Sequence, residues 1–324
     1  MKIVFIGTSE FEAIILENLS RGAFKPSLVV VPQEKIKTTP NSLTSSAVKL
    51  IAQENKIEVL TPKDIQDVKL QLLSLKPDLI ISAEYGKGLP KEIFEIPRYG
   101  CLGIHPSLLP RWRGPSPLQY TILNNDDQTG ITIFLMDEKI DQGPILKQAK
   151  INLEGNENFR DLSTKLANLA ALTLLNTIPF WIKKIIKPQV QNEAEASYTE
   201  LITQEEAKIN WQKPVEKIER EIRAFSTNPG SYTFWKTKSK WGEKSKTLAI
   251  KILKATVRQL PEEGVYPVGK TIKVDNKFCI QCGKVFLGGR NFLVVEELQP
   301  EGEKVMNSQE FLRMYPDFIG TTLF

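Results

Sequence analysis

A chain of 324 residues has room for two domains, each able to bury most of its apolar surface. Hydrophobic residues make up 41% and charged residues 25%, with the 20 prolines spread along the chain, so the composition excludes a disordered protein. The net charge of +5 allows an anionic partner without demanding one.

No window holds the roughly eighteen uninterrupted apolar residues of a membrane-spanning helix. The greasiest, Ala170 to Ile182, is broken by Thr173, Asn176 and Pro179. Ahead of Gly7 stands only Ile-Val-Phe-Ile after one lysine, too short for the apolar part of a signal peptide. The expectation is a cytoplasmic protein. Three cysteines, few and odd in number, argue against a disulfide framework and fit a reducing compartment.

From residue 1 to about 150, short β-rich runs alternate with amphipathic stretches, as in crossover units on a parallel sheet. The predicted strands are Lys2 to Ile6, Ser27 to Val31, Ile57 to Leu60, Asp78 to Ser82, Cys101 to His105 and Gly130 to Met136. After the first, Ser9 and Glu12 have capping-box spacing for a helix. Neither G-x-G-x-x-G nor G-x-x-x-x-G-K-[ST] occurs, so the dinucleotide and nucleoside-triphosphate fingerprints are both missing. The first domain is thus expected to be α/β, a Rossmann-like, mostly parallel sheet over residues 1–186.

Asn158 to about Thr177 reads as a helix with Leu162, Leu166 and Leu169 on one stripe. Residues 187–204 are expected to be a linker, since Lys187 to Ser197 is polar and without periodicity. Val215, Ile218, Ile222 and Phe225 mark a further amphipathic helix. Alternating runs at Leu248 to Leu253, Thr271 to Val274, Phe278 to Leu287 and Phe292 to Leu298 predict a smaller, OB-like β-barrel domain over 205–324. Within it, Cys279 and Cys282 form a lone C-x-x-C, with no second pair or histidine to complete a zinc site, and plain packing is the expectation. The run from Trp235 to Lys246 carries five lysines around two tryptophans, readable as a solvated loop or as a phosphate-contacting patch.

His105 is the only histidine, at the predicted carboxyl end of a strand, the edge where open α/β sheets bind ligands. Pro106 and Pro110 stiffen the loop beyond it, Ser107 to Pro110 can offer backbone groups to a flat heterocycle, and Arg111 and Arg113 supply positive charge. Asp141 follows another strand end, with Gly143 permitting a tight turn that aims the carboxylate toward the sheet edge. Histidine plus carboxylate is a minimal acid/base pair.

The string S-L-L-P-x-x-R-G after His105, with Asp141 downstream in D-x-G, resembles the folate-dependent formyltransferases. Phe5-Ile-Gly-Thr8, Tyr85-Gly86 before Leu89-Pro90, Gly114, Tyr198, Glu205 to Trp211 and Ile222 to Phe225 extend the likeness over essentially the whole chain. It is strongest to the branch that formylates methionine on initiator tRNA for translation initiation. The resemblance implies 10-formyltetrahydrofolate as co-substrate, initiator methionyl-tRNA as partner of the second domain, no metal and no membrane; a monomer is expected. It further implies that His105 donates toward an oxyanion or shuttles a proton, that Asp141 orients and tunes it, and that the folate lies along Tyr85, Gly86, Lys87, Gly88 and Leu89 and along Ser107, Leu108, Leu109 and Pro110. Alternatives are the same chemistry on an amino-sugar nucleotide or on water, or a catalytically weak relative that binds tRNA or folate.

The chain departs from the pattern in several places. Gly103 stands where the family has an asparagine two residues before the histidine. An amide aimed at a developing oxyanion contributes about a hundredfold to a thousandfold in rate, so a water or another side chain is expected to fill the gap. The basic loop that family members place after the second strand corresponds to residues 32–41, holding only Lys35 and Lys37. Leu201 and Asn210 stand where a lysine and an aspartate are usual.

Overall fold

The structure, a computed structural model, describes residues 1–32, 46–83, 89–237, 245–259, 266–283 and 291–324. They form two compact units: 1–118 with 127–153 and 161–201, and 202–324 with 119–126 and 154–160. The loop at 32–41, apart from Pro32, and most of the lysine run, 238–244, lie outside the described residues.

The first unit is built on a seven-stranded sheet. In chain order the elements along residues 1–182 are β1 (Ile3–Ile6), α1 (Glu10–Ser20), β2 (Leu28–Val30), α2 (Ala47–Glu54), β3 (Glu58–Leu60), α3 (Lys69–Leu75), β4 (Leu79–Ala83), α4 (Lys91–Phe94), β5 (Cys101–His105), α5 (Pro117–Leu123), β6 (Gln128–Leu135), β7 (Ile145–Asn152) and α6 (Phe159–Ile182), of which 119–123 and 159–160 fall in the second unit. The strand order is β3-β2-β1-β4-β5-β6-β7, parallel through β5 and antiparallel for the last two. β1, β2, β4 and β5 are buried at every position, as strands covered on both faces must be, and this is why they read as mostly apolar runs, broken only by Ser82, Gly103 and His105.

The turn after β1 depends on one buried carboxylate. Glu12 accepts the Ser9 amide at 2.6 Å and also the Thr8 amide, while the Ser9 side chain caps the helix in return. A Cβ on Gly7 would lie 2.7 Å from that carboxyl carbon, so only glycine fits there. At the other end of the unit, α6 runs past the expected stop at Thr177 to Ile182, through Pro179. Ile178 is buried and the Trp181 indole donates to the Tyr99 carbonyl at 2.8 Å, so tertiary anchoring carries the last turn beyond the proline.

The second unit contains α7 (Val215–Ala224), β8 (Tyr232–Lys236), β9 (Thr247–Gln259), β10 (Thr271–Val274), β11 (Lys277–Gln281), β12 (Asn291–Pro300), β13 (Met306–Asn307) and α8 (Ser308–Met314). All pairings are antiparallel, in the order β10-β11-β12-β9-β8, with β13 on β12. β8 and β10 are therefore the two edges of this half-barrel. The chain's last residues serve both: Phe324 exchanges two backbone hydrogen bonds with Phe234 on β8 (2.9 and 3.1 Å), while Gly320 and Thr321 bond Thr271 on β10 (3.0 and 2.9 Å). The tail completes the ring that the strands leave open.

Trp235 is buried in the core of this unit, its ring edge-on to Phe311, Tyr315 and Phe318 at 5.1–6.3 Å between centroids. This removes one of the two tryptophans from the sequence reading of an exposed aromatic and lysine patch. Cys279 and Cys282 are both buried, and burial pushes their thiols up to about 11 and about 12, so neither is a thiolate near neutrality. Among the described residues no helix is long and apolar enough to cross a membrane, and no group of three or more His, Cys, Asp or Glu side chains is placed to hold a metal ion.

Candidate active site

β5 delivers His105 to the carboxyl edge of the sheet, and the turn after β6 delivers Asp141. The two side chains meet there, Nδ1 to Oδ2 3.6 Å, with His105 5% exposed. At that separation they face each other without a direct hydrogen bond.

Each is oriented by main chain. His105 Nε2 lies 2.8 Å from the Trp112 carbonyl oxygen. A carbonyl can only accept, so Nε2 carries a proton and the neutral ring keeps its lone pair on Nδ1, toward Asp141. The Gly114 amide donates to Asp141 Oδ2 at 2.8 Å. Asp141 itself takes the left-handed backbone conformation (φ 57°), which an aspartate tolerates. Gly143 is required for a different reason than the tight turn expected of it: a Cβ there would lie 1.9 Å from the Leu135 carbonyl oxygen.

Arg113 is fully buried and is not available as a free positive charge, contrary to the sequence expectation. Its guanidinium makes a two-point contact with Glu193 (2.7 and 2.9 Å), donates to Gln191 Oε1 (2.8 and 3.1 Å) and to the Tyr198 hydroxyl (2.9 Å). Hydrogen bonding to Arg113 holds the Glu193 carboxyl below its usual range and raises the guanidinium in turn. The Gln191 amide then donates to the Asp141 and Gly143 carbonyls, both at 2.8 Å. One continuous chain of hydrogen bonds thus fixes the loop carrying Trp112 and the turn carrying Asp141. Arg111 stacks on the Trp112 ring at 4.1 Å.

The loop from Ser107 to Pro110 spends most of its backbone groups internally. Thr132 Oγ1 donates to the Ser107 carbonyl (2.7 Å) and accepts from the Leu109 amide (3.0 Å); the Gln148 amide donates to the Leu109 carbonyl (2.9 Å). The Leu108 and Pro110 carbonyls accept from the Arg111 and Ser197 amides. Leu89 is buried in the core under β1, β2 and β4. Tyr85, Gly86, Lys87 and Gly88 lie outside the described residues.

A cavity of about 300 Å³ opens beside the histidine and aspartate. Its described lining is largely apolar, from Ile104, Phe134, Met136 and Ile140, with Leu201 included; Leu89 and Ser107 to Pro110 are not part of it. Ser82, His105 and Asp141 are its polar side chains. Gly103 lies on its wall, and a Cβ there would fall 2.3–2.9 Å from ring atoms of Phe134. The space an asparagine would need is filled by that ring.

The sequence reading gave no site role to Trp112, Gly114, Gln191 or Ser82, although Gly114 belongs to the string that carries the resemblance. The first two act through backbone atoms, which leave no mark on residue type.

Such an arrangement, a proton acceptor beside a carboxylate in an apolar cavity, suits transfer of a small acyl group to an amine. A family model described as formyl transferase matches residues 1–178, and one for the formyl transferase C-terminal domain matches residues 201–316. The chain belongs to the formyl transferase family. Curated formyltransferases share its full length: methionyl-tRNA formyltransferases of Caldanaerobacter subterraneus and Bacillus cytotoxicus are each 34% identical, over 96% and 97% of this chain and 96% and 95% of theirs.

Among solved structures of formyltransferase fold, an N-formyltransferase from Helicobacter canadensis in complex with folinic acid and dTDP-3-aminofucose superposes with a TM-score of 0.61 at 22% identity, covering 91% of this chain and 98% of that one. HypX from Aquifex aeolicus in complex with tetrahydrofolic acid gives 0.62 at 17%, over 98% of this chain and 48% of that one, so the chain spans about half of HypX. At these identities the likeness is one of fold.

Proposed function

We propose that this formyltransferase moves the formyl group of 10-formyltetrahydrofolate to the amino group of methionine on initiator tRNA, and that His105 and Asp141 manage the proton. The observation that carries the reading is the pairing of Nδ1 with Oδ2 at 3.6 Å on the edge of the cavity, with Nε2 tied to the Trp112 carbonyl. The full-length likeness to methionyl-tRNA formyltransferases supports the choice of acceptor.

As the amine attacks the formyl carbon it becomes cationic and must lose a proton. His105 Nδ1 is the free base and accepts it. The resulting imidazolium lies between the Trp112 carbonyl and the Asp141 carboxylate. The same proton then goes to the departing folate nitrogen. In this reading residues 1–186 carry the chemistry, 187–204 join the parts, and 205–324 grip the tRNA as a monomer. Tyr85 to Leu89 and Ser107 to Pro110 frame the folate, the latter made stiff by Thr132 and Gln148. No step calls for a metal ion.

The test mixes purified protein with 10-formyltetrahydrofolate and charged initiator tRNA and follows N-formylmethionine. His105→Ala should lower the rate by at least about two orders of magnitude, the usual size of a proton-transfer contribution. A loss of only a few-fold would demote His105 to a structural residue.

A further inference from the structure

Ser82 is the last polar residue of β4 and sits in parallel register beside Gly103, which in turn pairs with Phe134 on β6. The three stand in one row across neighbouring strands, on one face of the sheet, and all three line the cavity. Ser82 is 3% exposed, and its hydroxyl is buried with no hydrogen-bond partner among the described residues. Other side-chain atoms share that condition, but of those only Ser82 Oγ belongs to this cavity. A desolvated hydroxyl left unpaired is destabilising, so its presence beside reacting groups calls for a ligand.

Formyl transfer supplies one. When the amine nitrogen bonds to the formyl carbon, the carbonyl electron pair moves onto oxygen and needs a donor. Among the cavity's described polar side chains Asp141 accepts, and the His105 Nε2–H is already given to Trp112. The Gly114 amide is given to Asp141. Gly103 offers no side chain, and the Phe134 ring closes the space above it.

We propose that Ser82 is a catalytic residue whose hydroxyl donates to the formyl oxygen as it becomes an oxyanion. This rests on the formyl-transfer reading above and adds a donor to it. The amine nitrogen forms its bond to carbon, the oxyanion accepts from Ser82 Oγ–H, and His105 Nδ1 takes the proton from nitrogen. The oxygen pair then returns to re-form the carbonyl, the bond from carbon to the folate nitrogen breaks, and that nitrogen leaves with its electron pair and the proton from His105.

The experiment is Ser82→Ala in the full chain, measured by single-turnover transfer from saturating 10-formyltetrahydrofolate to methionyl-tRNA and, in parallel, to hydroxylamine as a small acceptor. The expected result is a loss of about a hundredfold to a thousandfold with both acceptors. Folate affinity should stay unchanged and the melting temperature should be equal or higher, because the deleted hydroxyl has no partner among the described residues. A rate within about threefold of the parent overturns the proposal, the usual effect of one oxyanion donor being far larger. So does a loss of rate that tracks a lowered melting temperature, which marks the hydroxyl as structural. If the parent transfers to hydroxylamine and not to tRNA, the acceptor reading fails and the Ser82 comparison is decided on hydroxylamine.

Discussion

Phe134 and Gly103 compete for one volume. Any side chain at 103 starts 2.3 Å from the edge of a buried ring, and asparagine would need still more room. Gly103→Asn is therefore expected to destabilise the protein by about 1–3 kcal/mol, as overpacking does, and not to raise activity. Phe134→Ala on its own opens a hole and also destabilises. Combined, the two changes should cost clearly less than the sum of the single losses, because each relieves the strain or void left by the other. Urea melts of the four members of this cycle decide the point; strict additivity would mean that the ring and position 103 do not contend for the same space.

At the scale of elements, the site is held by a strap of chain, residues 189–199, laid along the loop after β5. Gln189 pairs with Ile145, Gln191 ties Arg113 to the Asp141 turn, Ser197 accepts from Trp112, and Thr199 bonds Arg113 through main chain. Arg113→Lys keeps the charge and loses the planar fork, leaving acceptors on Gln191 and Glu193 unserved. The expected outcome is a loss of about 1–3 kcal/mol in a denaturant melt. kcat should fall more than folate affinity, since the Asp141 turn loosens while the cavity walls remain.

Much of this was legible beforehand. The buried runs of β1, β2, β4 and β5, the Ser9 capping box and the meeting of His105 with Asp141 all follow from residue type and position. β7 was not, because Ile-Leu-Lys-Gln-Ala-Lys-Ile-Asn has no clean alternation and draws its stability from pairing with β6 along its length. The polar segment from Lys187 shows no periodicity for a related reason: its order comes from hydrogen bonds to a distant loop, which no local pattern encodes.

For the molecule as a whole, the second unit is completed by its tail. Deleting residues 320–324 would leave β8 and β10 with unpaired backbone groups and take Leu323 out of the core. The expected result is a markedly lower melting temperature for this unit and stronger self-association, because open sheet edges pair with other chains. Calorimetry alongside light scattering reads both effects. A truncated chain that melts like the parent and stays monodisperse would show that the tail adds nothing the strands lack.

His105 and Asp141 are aimed by a peptide oxygen at Trp112 and a peptide nitrogen at Gly114. Alanine scanning cannot delete either atom, so a residue-by-residue survey of this pocket will under-count its working parts and score Trp112 by its indole alone. Replacing the Gly114 amide with an ester is the kind of chemistry that would make the hidden half of the apparatus visible.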